Sequence, residues 1–456
     1  MPEPAALLPI AIPAAIALLI GVIVARKVSL FAGVGAASAI SFLAPTWVNV
    51  ETLAIDWDAR LCVALVTGAV VLLGRTRSLF SRLVPLDLLV GFMAVWQVAS
   101  EWHAGGEVVE VGFLAYGHWI LPYVIGRCVA RSLGDLRVVG LFVASVGVLL
   151  GLAALLETTS GFDIYEAFFG ERPGMQFRPV KLRRWGYPRA EGPYDHPIFL
   201  GIITLLLLPW TLWLARYERG EVRIAILAAV VAMLLGLLCT ISRGPIGGLV
   251  VLLLVAAGMR YRWLGYTLLG VVAAGIVALA VRPSLPEDLA RQVADASEER
   301  VELKVIDGEE VVSSSVVGRL VIVRGYAKAL RKAGPFGYGT AATSQFPPDI
   351  PHVPVDELTG EPVSVVDNSY VYYTLRGGWV MGVGYLLLHV AGFFRLRKVA
   401  AWDGDAFFCR LLAGAIVAHG VVSFTVYPAY DYIYMFLWTL GVAAAPLGTT
   451  LVTPRD

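Results

Sequence analysis

The stretch PIFLGIITLLLLPWTLWLA, Pro197 to Ala215, decides the fold. It carries no charged residue and nearly fills the roughly 20 apolar residues that a helix needs to cross a hydrocarbon core. Pro197 stands where a proline is best tolerated, in a first helical turn. Working outward, comparable runs recur at 5–24, 28–45, 60–74, 83–100, 111–126, 138–157, 196–214, 222–241, 245–259, 263–281, 369–393, 408–427 and 432–448. Of the whole chain, 58% of residues are hydrophobic and only 16% are charged. Soluble domains are about 25% charged. The reading is an all-α polytopic membrane protein with about 12–13 transmembrane helices. A net charge of +1 gives no footprint for nucleic acid. Cys62, Cys128, Cys239 and Cys409 fall in or beside apolar runs, without metal-ligand spacing, and read as small buried hydrophobes. The N-terminal Met1-Pro2-Glu3-Pro4 lacks a basic region, so the first run reads as a retained span.

Basic residues orient the spans. Connections with Arg26-Lys27, Arg75/Arg77/Arg82, Arg127/Arg131/Arg137, Arg216/Arg219/Arg223, Arg260/Arg262 and Arg395/Arg397/Lys398 alternate with connections that are poorer in basic residues or much longer. The positive-inside rule places the first set in the cytoplasm. The two long loops then lie outside. The chain divides into N-terminal transmembrane helices at 1–157, a basic loop at 158–195, central helices at 196–281, a large loop at 282–368 and C-terminal helices at 369–456.

Candidate chemistry concentrates in those loops. Asp56-Trp57-Asp58 reads either as a metal-holding acid pair or as an interfacial loop with Trp47 in the aromatic belt. Glu101, His103, Glu107 and Glu110 read as solvated polar residues. From Arg172 to Arg189 the loop holds Arg172, Arg178, Lys181, Arg183, Arg184 and Arg189 with no acid between, and with Trp185 and Tyr187 interleaved. Arginine forks match phosphate oxygens, which suits a diphosphate; anionic lipid headgroups are the competing ligand. His196 lies near a helix N-terminus, where anions are favoured. Arg243, in the turn Thr240 to Pro245, either snorkels to the interface or points into the same anionic site.

In the large loop, Ser313-Ser314-Ser315 and Gly334-Pro335 bracket one amphipathic helix, with Val316, Arg319, Val323, Tyr326 and Leu330 on one stripe. An arginine on an apolar stripe needs an anionic partner, either a structural carboxylate or a substrate phosphate. Gly334 to Gly339 reads as a rigid turn and lacks the lysine of a nucleotide P-loop. At the junction with the next span, Asp367 reads as a helix N-cap or as a general base. Arg376, two turns into that span, should face the protein interior or a wet cavity.

In order, the motifs are Arg189-Ala190-Glu191-Gly192-Pro193-Tyr194-Asp195-His196-Pro197, then Ser242-Arg243-Gly244, then Gly318-Arg319 with the Gly-Pro-Phe-Gly-Tyr-Gly turn, then Asp367-Asn368-Ser369-Tyr370. This order resembles the O-antigen ligase and O-antigen polymerase superfamily of bacterial envelopes, over roughly residues 160–445. The resemblance implies a metal-independent glycosyltransferase of GT-C type in the bacterial inner membrane, with the long loops periplasmic. Such enzymes move a glycan from undecaprenyl diphosphate to an acceptor hydroxyl, with inversion. Arg189 and Arg319 fall on the family's two arginines and would neutralise the leaving diphosphate. Asp367 would be the base, with Arg184, His196, Arg243, Asn368, Tyr370 and Arg376 binding substrate. No cofactor is implied. The implied partners are a lipid-linked oligosaccharide, an acceptor glycan or glycolipid, the bilayer, and a chain-length regulator or other assembly proteins. The ligases carry histidine where this chain has Asp367, and an acid where it has Arg376. These departures fit a polymerase of a surface polysaccharide better than a ligase to lipid A core. From another class, a flippase of lipid-linked sugars would carry charges along many spans, whereas here they gather at one face.

Overall fold

The computed structural model describes residues 4–52, 55–73, 83–129, 132–172, 183–282, 302–306, 309–313, 318–362, 366–401 and 406–445. The protein is an all-α polytopic membrane protein. Its helices are α1 Pro4–Lys27, α2 Leu30–Ser41, α3 Ala59–Leu73, α4 Pro85–Ala104, α5 Val108–Cys128, α6 Leu133–Ser160, α7 Ile164–Phe169, α8 Pro197–Tyr217, α9 Gly220–Cys239, α10 Arg243–Arg260, α11 Arg262–Val281, α12 Gly318–Gly325, α13 Ala327–Lys332, α14 Thr340–Thr343, α15 Ser369–Ala400, α16 Ala406–Val422 and α17 Tyr430–Ala444. Each of the thirteen apolar intervals coincides with one of these helices. Among the described residues, eight helices are long and apolar enough to cross a membrane. Three two-stranded antiparallel hairpins sit in the connections: β1 Val50–Thr52 with β2 Ile55–Trp57, β3 Arg183–Arg184 with β4 Tyr187–Pro188, and β5 Glu302–Ile306 with β6 Glu309–Ser313.

Helix α8 is apolar all round, and a helix of that kind is buried on every side. Trp210 packs on Phe408 and Trp438, and Trp213 on Phe408, with ring centroids 5.0–5.3 Å apart. In lipid, where helices gain no hydrophobic drive to associate, close packing through small residues takes over. Gly151 of α6 meets Gly236 of α9 this way, and Gly126 of α5 meets the backbone of α17 at Trp438. At the end of the bundle away from the long loops, a buried Arg127–Asp87 ion pair at 2.9 Å joins α5 to α4. Tyr123 donates to the same carboxylate at 2.6 Å.

The C-terminal third departs from the sequence expectation. The interval 369–393 is not one span. Gly377 (φ −121°, ψ 19°) and Gly378 (φ 72°, ψ −172°) break α15 into two arms, 369–376 and 379–400. The arms run antiparallel. The Tyr373 and Tyr385 rings lie 4.6 Å apart, and those of Tyr370 and Tyr385 5.2 Å apart. In a straight helix, residues fifteen apart would be separated by about 22 Å. The first arm is therefore a re-entrant helix whose N-terminus lies inside the bundle.

The Gly334–Gly339 turn makes this hairpin possible by serving both broken ends. Tyr338 and Gly339 donate their backbone N–H groups to the carbonyls of Leu375 (2.7 Å) and Arg376 (3.0 Å). The carbonyl of Gly334 accepts from Trp379 N at 3.0 Å. Helix ends buried without such partners would be costly. Phe336 stacks on Trp96 of α4 at 4.7 Å and packs against His103, while Trp96 Nε1 donates to Gly377 O at 2.8 Å. Gly378 allows the close approach: it has a positive φ, and a methyl group there would strike the Pro335 backbone.

Two further expectations are corrected. The single amphipathic helix is two pieces, α12 and α13, joined at Tyr326. Its described buried stripe is Ile322, Tyr326, Ala329 and Ala333, and Val323 points outward. Glu101 is buried, not solvated. The docked turn covers it and supplies Thr340 N–H as its partner.

Candidate functional site

Three helix N-termini meet at one end of the bundle, the end that carries the long loops. Helix α8 is capped by His196, whose Nδ1 accepts from Ile198 N at 3.0 Å. Helix α10 begins at Arg243, directly after Ser242. The first arm of α15 is capped by Asn368, whose Oδ1 accepts from Tyr370 N (3.0 Å) and Val371 N (3.1 Å). All three face the short segment 425–427, where α16 has ended in a single 3-10 turn, Ser423–Thr425. The Tyr427 ring lies 6.1 Å from Phe199 of α8 and 6.0 Å from Tyr372 of α15. A methyl group on Gly244 of α10 would stand 3.1 Å from Thr425 Oγ1. Ser369 Oγ donates to Val426 O at 2.7 Å. From above, Phe346 of the large loop approaches Tyr427 at 6.0 Å. Each helix N-terminus carries about half a positive charge from its aligned peptide dipoles, although His196 and Asn368 already take up N–H groups of α8 and of the first arm. Three of them beside an arginine make a place for an anion.

The predicted site residues separate into three groups. His196, Arg243 and Asn368 open the three helices that meet at 425–427, and Asp367 directly precedes Asn368. Asp367 is half-buried at the centre of a tight turn closed by Asn368 N donating to Val366 O at 2.7 Å. The N-cap is Asn368, so the capping alternative for Asp367 does not hold. Arg184 and Arg189 belong to a second group, which holds the turn before α10. Arg189 donates to Thr240 O (3.1 Å) and Ser242 Oγ (2.7 Å), and Arg184 to Ile241 O (3.1 Å). Ile241 has φ +45°, uncommon for a β-branched residue, and these bonds brace it. The third group lies apart. Tyr370 turns into the bundle and donates to Gly420 O at 3.0 Å. Arg376 is buried at the far end of the first arm, about 12 Å along the helix from Asn368. Its Nε donates to Thr340 Oγ1 at 2.9 Å. Helix α12 includes position 319, but the Arg319 side chain lies outside the described residues, as do Arg178 and Lys181.

Arg172 answers to structure. It pairs with Asp163 at 2.7 Å and with Glu191, and it lies over the Trp47 ring at 4.5 Å. Asp195, beside His196, faces the other way, towards Thr46, Arg60 and Arg172. Burial pushes its carboxyl above the ordinary range, and the Thr46 hydroxyl and the two arginines pull against that. Sequence reasoning missed Tyr427, hidden at the end of an apolar interval. The proline that follows, Pro428, was the available signal.

Residues 228–388 match the family model described as O-antigen ligase. Through this segment, about a third of the chain, the protein is similar to the O-antigen ligases. The matched segment contains Arg243, position 319, the docked turn, Asp367 and the whole first arm of α15. It excludes Arg184, Arg189, His196 and the 425–427 segment. No curated protein matches the chain. The match, together with eight helices long and apolar enough to cross a membrane among the described residues, supports a multi-pass membrane enzyme of polysaccharide assembly.

Proposed function

We propose that the protein transfers a glycan from undecaprenyl diphosphate to an acceptor hydroxyl at the periplasmic face of the inner membrane, and so polymerises a surface polysaccharide. One observation supports the reading: three helix N-termini, one opened by Arg243 and one directly following Asp367 and its neighbour Asn368, converge on the 425–427 segment. The diphosphate sits against the helix ends and Arg243, with Arg319 as a further neutralising charge. Asp367 takes the proton of the acceptor hydroxyl as its oxygen attacks the anomeric carbon. The bond from that carbon to the diphosphate oxygen breaks, and the electron pair leaves on the diphosphate. Attack from the face opposite the leaving group inverts the configuration. Arg189 and Arg184 act on the turn that presents Arg243. A carboxylate at position 367, in place of the ligase histidine, favours polymerisation. Charge neutralisation is assigned to protein groups, so transfer is expected to survive a chelator.

The test is turnover of reconstituted protein on lipid-linked oligosaccharide. Wild type should lengthen the glycan. Arg243→Ala should lose about 100- to 1,000-fold in rate, the usual effect of removing one stabiliser of developing negative charge. Asp367→Asn should fall comparably. Transfer only to an added separate acceptor would make the protein a ligase. Lipid translocation without transfer would overturn the enzyme reading.

A further inference from the structure

Two histidines face each other beneath the site, in the interior of the helix bundle. His389 of the second arm and His419 of α16 are both buried, with His389 Nε2 and His419 Nδ1 2.9 Å apart. The other nitrogen of His389, Nδ1, lies 2.9 Å from Tyr385 O. A carbonyl only accepts, so His389 carries its proton on Nδ1. Its Nε2 then accepts, and His419 must donate from Nδ1. His419 Nε2 is left as the bare nitrogen and has no partner among the described residues. An unmet acceptor is the more tolerable kind of orphan. The rings stack on Phe436 of α17 at 4.5 Å and 4.0 Å.

The pair occupies the joint that sets the height of the first arm. Tyr370 packs 6.2 Å from the His389 ring and donates to Gly420 O, one residue after His419. A side chain on Gly420 would meet the His389 ring at 2.9 Å. Tyr385 and Ser423 hydroxyls lie 3.0 Å apart, and Ser423 donates to His419 O at 2.9 Å. The N-terminus of the arm then rests on Val426 through Ser369. Buried polar residues in a membrane bundle are costly, and an apolar pair would fill the same space. What a hydrogen bond adds is a fixed register between helices.

We propose that His389–His419 is a positioning pair: its directed hydrogen bond fixes α16 against the second arm, and thereby sets where Asp367 stands relative to Arg243. The inference rests on the reading of those two residues as the site. It lies beyond the family match, which stops at residue 388.

The pair is tested with His419→Leu and His419→Asn in the full-length, reconstituted protein. The asparagine amide takes the place of Nδ1–H and keeps the donor, whereas leucine removes it. A misplacement of about 1 Å costs up to about 100-fold in rate. His419→Leu should lower kcat at least about 10-fold with the donor KM nearly unchanged, and His419→Asn should return it to within about 3-fold. Unchanged kcat in His419→Leu would overturn the proposal. So would failure of asparagine to rescue, since the bare nitrogen and not the bridge would then matter. Thiol labelling of Asp367→Cys gives a readout without turnover. Its rate should shift several-fold with His419→Leu and return with His419→Asn; equal rates in all three overturn the proposal. A wild type that transfers nothing would instead refute the function, and labelling would still decide the pair.

Discussion

Helices α8 and α15 cross the same bundle, and they were not equally readable. Helix α8 is apolar at almost every position, begins at a proline after a capping residue, and is one unbroken buried helix. Helix α15 has a longer pattern, 32 residues against 21, with an N-cap at Asn368 and a basic last turn, yet it is two helices. The difference lies in Gly377-Gly378 and in what meets them. A glycine inside a helical pattern is usually tolerated at about 1 kcal/mol. Here a turn forty residues earlier replaces the broken hydrogen bonds, so the break costs little. What distinguishes a span from a re-entrant hairpin is thus a partner distant in sequence.

Substitutions can break that contrast. Gly378→Ala places a methyl group against Pro335 and puts a non-glycine residue at φ 72°. It should destabilise by about 3 kcal/mol or more and abolish transfer, read by thermal unfolding and turnover. Leu206→Ala in α8 should cost about 2–5 kcal/mol from the cavity it leaves. Protein that remains folded should keep its kcat, because that part of α8 positions no site residue. Equal loss of kcat in both would dissolve the distinction.

Smaller effects sharpen it. Thr340→Val removes the hydroxyl that accepts from buried Arg376, and should cost about 1.5–3 kcal/mol with loosened docking of the loop, read by limited proteolysis. Asp195→Asn should act least. A folded-state carboxyl held above its unfolded value binds its proton more tightly when folded, so it destabilises the fold once pH rises through that range. The asparagine variant should match or slightly exceed wild-type melting temperature at neutral pH, with no gain in acid.

Much of the architecture was legible because it rests on local patterns. Thirteen apolar intervals marked the helices. Loop chemistry marked His196, Arg243 and Asp367 as one face, and Gly334-Pro335 marked the end of a helix. The misreadings share a physical cause. Glu101 looked solvated because Thr340, its partner, lies 239 residues away. That Arg189 also holds the Thr240–Ser242 turn was not legible, because both of its partners lie more than fifty residues away. Val323 was placed on the buried stripe because α12 and α13 were read as one uninterrupted helix.

The most direct measurement is a disulfide between Thr374→Cys and Gly382→Cys. A β-carbon on Gly382 would stand 3.2 Å from that of Thr374, close to the roughly 3.5–4.5 Å of a disulfide. In an unbroken helix, eight residues would separate them by about 12 Å. Rapid closure under mild oxidant, in otherwise folded protein, is the predicted result. Two thiols that stay reduced while both remain reactive would contradict the re-entrant arm and the site built on its N-terminus.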